Sequence, residues 1–138
     1  MSTQQTPYHK QKYKQEEKRD TMNYNNLTMA GIHIETGLDR FSQDKEVFEE
    51  FLVKFLEDQN YKILLKAIEK KDVKAAFLAA HSLKGISGNL SMDRLYASVC
   101  NLVEALRKGK LTNVEILILP VTEAYEQLVE TIKTESNK

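Results

Sequence analysis

Apolar positions along this chain recur at helical spacing. Val47, Phe48, Phe51, Leu52, Phe55 and Leu56 fall at i, i+1, i+4, i+5, i+8 and i+9. That is one face of an α-helix, with Glu49, Glu50 and Lys54 opposite and Ser42 or Asp44 as its cap. The stripe resumes beyond Gln59 and Asn60 with Ile63, Leu64, Ala67 and Ile68, either as one long bent helix or as two helices in line. Lys70, Lys71 and Asp72 form a polar break, and the residues from Val73 to Ser87 make the next helix. A turn follows over Asn89 to Ser91, with Ser91 as cap and Asp93 near the positive start of a third helix. Its stripe is Leu95, Val99, Leu102, Val103 and Leu106, and it stops at Gly109. Residues from Val114 to Val121 are nearly all apolar and rich in β-branched side chains, which also suits a strand. Pro120 would interrupt that strand and no partner strand exists. With Ala124, Leu128, Val129 and Ile132 at helical spacing, the spacing predicts a fourth helix from about 113 to 135, bent near Pro120.

Ahead of these stripes, Ile34 to Phe41 suits a short turn or helix. Residues 1–26 differ: they hold Gln, Lys, Glu, Asn and Tyr with almost nothing aliphatic. Such a segment cannot bury enough apolar surface to offset its ordering entropy, so it reads as a flexible N-terminal tail. Residues 27–138 then form one domain. The predicted fold class is all-α: an antiparallel four-helix bundle with a short extra N-terminal helix and that tail.

Composition narrows the picture. The 5 glycines and 2 prolines allow few turns, which agrees with long helices. Twenty basic and 20 acidic residues cancel, so the chain as a whole has no reason to seek nucleic acid or an anionic membrane. Lysines beside Tyr8 and Tyr13 in the tail could touch nucleic acid or a partner, but a flexible tail or linker is the simpler reading. Cys100 is the single cysteine, so no internal disulfide forms and a reducing compartment fits. With apolar neighbours, it reads as an inert core thiol. No apolar run is long enough for a membrane span, and the polar start is unlike a signal peptide. The expected protein is soluble, cytoplasmic and monomeric.

One stretch departs from simple helix-making. AAHSLKGISGNL, residues 79–90, places two glycines in a helix, where each costs about 1 kcal/mol relative to alanine. At about 100° per residue, Ala76, Ala79, Ala80, Leu83, Ile86, Ser87 and Leu90 share a buried face of small and aliphatic side chains. His81, Lys84, Gly85 and Gly88 share an outward surface flanked by Phe77 and Leu78. A side chain at position 85 would lean back over His81; Gly85 has none, so the imidazole stays uncovered, and Gly88 clears the ground beyond. Lys84 stands one turn away, ready to meet an anion. Phe77 and Leu78 would be exposed apolar groups, as expected where a protein docks.

Other chemistries fit less well. His9, His33 and His81 are scattered, and no acidic residue lies three or four places after His81, which argues against a metal site. Ser82 and Ser87 lie on other faces, which argues against a serine nucleophile. No Walker-type loop is present. A helical adaptor on which His81 is incidental remains the alternative.

His81-Ser-Leu-Lys84-Gly85 followed by Ile-Ser-Gly88-Asn-Leu resembles the H-x-x-K-G motif of histidine-containing phosphotransfer (HPt) domains. ETGLDRFSQDKEVFEEFLVKFLED is similar to the opening helices of that family, and DRLYASVCNLVEALRKGKL to the helix after the motif. Together the similarity runs over about residues 30–135. It implies a phosphorelay protein of two-component signalling. His81 would be the phosphoacceptor, taking the group from a receiver-domain aspartyl phosphate and passing it to another receiver's aspartate. Lys84 would neutralise charge on the phosphoryl oxygens, while Gly85 and Gly88 give the partner's loops room. Phe77 and Leu78 would meet the partner. The implied partners are response-regulator receiver domains and a hybrid sensor histidine kinase, with neither nucleic acid nor membrane. No cofactor is expected on this chain, and Mg²⁺ is expected on the receiver. No autonomous kinase activity is implied, because a kinase dimerisation domain needs an ATP-binding domain that 5 dispersed glycines cannot build. Ser91-Met92 departs from the Gly-Ala that many relatives carry there.

Overall fold

Four of the helices begin where a polar side chain accepts a free N–H group of the first turn. The computed structural model describes residues 21–138; residues 1–20 of the expected tail lie outside the described residues. Asn23, Asp44 and Asp72 cap helices α1 (Tyr24–Met29), α3 (Lys45–Phe55) and α5 (Val73–Asn89), accepting from Asn26, Val47 and Ala75 at 3.0–3.1 Å. His33 caps α2 (Ile34–Arg40) through Nδ1, which accepts the Thr36 N–H at 3.3 Å. Helices α4 (Asn60–Glu69), α6 (Asp93–Arg107) and α7 (Val114–Ser136) complete the set, and no strand occurs among the described residues.

The long apolar stripe is two helices. The chain breaks after Phe55, and the Asp58 carboxylate accepts both the backbone N–H and the side-chain amide of Asn60 at 3.0 and 2.9 Å to restart it as α4. Helices α4, α5, α6 and α7 pack in succession, and α3 and α1 rest on α7. The ring closes where Tyr61 of α4 stacks on Tyr125 of α7, centroids 4.0 Å apart, and donates to the Thr122 hydroxyl at 2.8 Å. Leu64, Leu83, Leu95, Leu102, Leu128 and Ile132 fill the interior. The fold is therefore the expected all-α four-helix bundle. Helix α7 continues through Pro120 as one helix and not a strand.

Two local expectations change. The packed fold includes residues before 27: Met22 is buried and Asn23 to Asn26 form the cap and first turn of α1. Their partner is Glu135, near the end of α7. Its carboxylate accepts the Asn23 N–H at 2.6 Å and the Asn26 amide at 2.9 Å, and pairs with Lys138 at 2.9 Å. Burial pushes the Glu135 carboxyl up, but the bonds from Asn26, Lys138 and Asn23 and the Lys138 charge outweigh it and leave it at about 2.

Ser91 is not the cap of α6. It sits at φ 54°, and Met92 takes the cap position without a side-chain bond. An L-residue in this left-handed region is strained by about 1–2 kcal/mol. That gives the Ser-for-Gly departure a structural meaning, because glycine adopts such angles freely. The Ser91 hydroxyl is held by the Thr36 hydroxyl at 2.8 Å. Around this turn the chain before α2 straps the end of α5 to the start of α6. Ile32 bridges Met92, the His33 N–H donates to the Ser91 carbonyl at 2.8 Å, and the Arg94 N–H donates to the Gly31 carbonyl at 3.3 Å. Gly31, at φ 97°, leaves the space a side chain would contest with Arg94, whose Cβ lies 2.7 Å from the position of an added Cβ.

Candidate functional site

The inner face of α5 is built from small residues. Ala76, Ala79, Ala80, Leu83 and Ser87 are buried, so α4 and α6 approach closely and hold α5 on both sides. The Ser87 hydroxyl, buried among them, donates to the Lys84 carbonyl at 3.1 Å. This leaves the outward surface of α5 fixed in place by packing on the opposite side.

On that surface His81 is exposed, Lys84 is half-buried and Gly85 is exposed. An ideal Cβ at Gly85 would meet nothing within 4 Å. The missing side chain there serves no packing contact inside the molecule, and open space lies beside the imidazole on the C-terminal side. Gly88 differs. A Cβ there would stand 3.1 and 3.2 Å from the Tyr96 ring, so Gly88 lets α6 pack close as well as leaving the surface clear. The sequence reading gave it the second role only.

Phe77 also differs from its expectation. Leu78 is 56% exposed, as an apolar docking residue should be, but Phe77 is half-buried against the core. Its ring lies 5.8 Å from the His81 ring, centroid to centroid, inclined at 36°. Over it, 5.3 Å from its centroid, stands the guanidinium of Arg107 from the end of α6, which also pairs with Glu104 at 3.4 Å. Sequence spacing gave no sign of Arg107, because it lies on a different helix.

A second feature escaped the sequence pattern. Phe41, Phe51, Phe55, Ile86 and Leu90 line an apolar cleft of about 660 Å³ between α2, α3 and the C-terminal half of α5, with Arg40, Lys54, Asp58 and Asn89 around it. Phe51, expected in the core stripe, is 43% exposed at this cleft and packs on Phe41 at 5.2 Å. Ile86 and Asn89 lie five and eight residues beyond His81, roughly 7.5 and 12 Å along the helix axis at 1.5 Å per residue. The cleft therefore opens on the Gly85 side of the histidine.

The site brings together an exposed imidazole, a lysine and open space. Among the described residues no group of three His, Cys, Asp or Glu side chains is placed to hold a metal ion, and no helix is long and apolar enough to cross a membrane. Ser87 is buried and its hydroxyl is taken by the Lys84 carbonyl, so it does not share the surface of His81. Cys100 is half-buried, less enclosed than a core thiol, and a hydrogen bond with it holds the Tyr96 phenol up in pKa.

The family model described as Hpt domain matches residues 46–134, a span from the start of α3 to the last turns of α7 that takes in His81, Lys84, Gly85 and Gly88. No curated protein and no solved structure matches the chain significantly.

Proposed function

We infer the function from the premise that this chain belongs to the Hpt domain family. At family level that means histidine phosphotransfer in two-component signalling, with receiver domains and kinases as the typical partners. Within it, we propose that the chain relays a phosphoryl group between receiver-domain aspartates through a phosphohistidine at His81. The unprotonated ring nitrogen attacks the phosphorus of an aspartyl phosphate. A P–N bond forms, the P–O bond to the carboxylate breaks, and the carboxylate leaves with the electron pair. The reverse sequence delivers the group to a second receiver.

The observation that carries this reading is the open space at Gly85 beside an exposed imidazole. Phosphoryl transfer depends on in-line approach and charge stabilisation more than on covalent assistance from the protein. An uncovered nitrogen on a helix fixed from behind meets the first need. Lys84, one turn along, meets part of the second by facing the phosphoryl oxygens. Mg²⁺ and the rest of the positive charge are assigned to the receiver. Leu78 and the aromatic cleft beyond Gly85 are the surfaces offered to the receiver.

The test is transfer from a receiver domain loaded with acetyl phosphate. The chain should acquire an acid-labile, base-stable label, and His81→Gln should fold normally and take none. Lys84→Ala should slow labelling about tenfold, as expected for loss of one charge-assisted contact, without lowering the unfolding midpoint. Labelling of His81→Gln at the wild-type rate would end the assignment.

A further inference from the structure

On a helix, a side chain leans toward the N-terminus and settles over the residue four before it. For His81 that residue is Phe77; four after it stands Gly85. The imidazole is therefore asymmetrically surrounded. One flank has an aromatic ring 5.8 Å away and inclined at 36°, and the other has nothing within 4 Å of the position a Cβ would take. Phe77 is itself confined. It is half-buried against the core, and the Arg107 guanidinium covers it at 5.3 Å, within reach for a cation–π contact. The two residues meet in a cleft with Val73, Lys74 and Leu106 on the N-terminal side of the histidine.

We propose that Phe77 is a positioning residue that sets the orientation of the His81 imidazole for phosphoryl transfer, and that Arg107 holds Phe77 in place. The inference rests on the phosphoacceptor reading of His81 and deepens it. An exposed histidine on a helix has two commonly populated χ1 wells and two ring orientations about a broad χ2. Attack on phosphorus needs one ring nitrogen aimed along the line of the breaking bond. A ring wall on one flank selects the arrangement in which the imidazole rests on Phe77 and its free edge faces outward and toward Gly85. Because Phe77 is half-buried under Arg107, it is less available to a partner than Leu78, so its part in the reaction is inside the protein.

The experiment compares the wild-type chain with Phe77→Ala, Phe77→Leu, Arg107→Gln and His81→Gln, using a receiver domain loaded with acetyl phosphate over a range of concentrations. A positioning role predicts that Phe77→Ala lowers the maximal transfer rate about four- to tenfold while the half-saturating receiver concentration stays within a factor of about two. Phe77→Leu should be intermediate, because it keeps the bulk and loses the plate. Arg107→Gln should lower the same rate about twofold. The His81 ring-proton resonances, assigned by their loss in His81→Gln, should move in both Phe77 variants as the ring current is withdrawn. A rise in half-saturating concentration alone, or an unchanged maximal rate whether or not the resonances move, overturns the proposal. Labelling of His81→Gln instead overturns the phosphoacceptor reading, so the two failures are told apart.

Discussion

The outward face of α5 and the corner where α1 meets the end of α7 follow opposite rules. At the corner a buried carboxylate is surrounded by donors: Glu135 holds the Asn23 N–H, the Asn26 amide and Lys138. On α5 a glycine leaves an imidazole beside empty space. The corner spends sequence on polar partners that hold the chain together; the face omits a side chain that would have made a better helix. The lesson is that one small bundle separates stability from chemistry by place. A change at one location should leave the other's property intact.

The sharpest way to break that separation is at Gly85. Gly85→Leu should raise helix stability by up to about 1 kcal/mol yet cut transfer from a phosphorylated receiver by about a hundredfold or more, by displacing the incoming group. Equal transfer in variant and wild type would remove the steric argument. The converse change is Glu135→Ala, which strips the corner of its acceptor. Urea unfolding should show a loss of about 2 kcal/mol, with transfer below the midpoint unchanged.

A milder probe is pH. The Glu135 carboxyl stands at about 2 in the fold against 4.5 for its ordinary value. Between those values the unfolded chain binds more protons than the folded one, so stability rises with pH across the window. The contribution is complete above about pH 4.5 and fades as pH falls toward 2; Glu135→Gln should flatten that part of the stability–pH curve. The smallest expected effect is at Gly88. Alanine there gains helix propensity but presses on the Tyr96 ring at 3.1 Å, a half-exposed side chain with room to shift. The net change should stay within about 1 kcal/mol by thermal unfolding.

How much of this was legible in the sequence follows from the range of each interaction. The faces of α5 were readable because Ala76, Ala79, Ala80 and Leu83 repeat at helical period, and that period alone turns His81 outward. The start of the fold was not. Met22 to Asn26 look like tail because their composition is polar, and the partner that orders them is more than 100 residues away at Glu135. Phe51 belonged to a stripe wider than the contact it serves, so one of its aromatics was left at a cleft. Ser91 reads as a cap by residue type, while its positive φ is set by the strap from Ile32 and His33, which no local pattern encodes. Arg107 reaches Phe77 only because α6 returns antiparallel beside α5.

Glu135 has one more consequence. Asn23 and Lys138 both bond to its carboxylate, so the first and last described stretches of the bundle meet at a single carboxyl group. A short linker joining them would let the backbone be opened at a surface loop such as Lys108 to Asn113 and still close the same helical ring, a circularly permuted molecule with its histidine undisturbed.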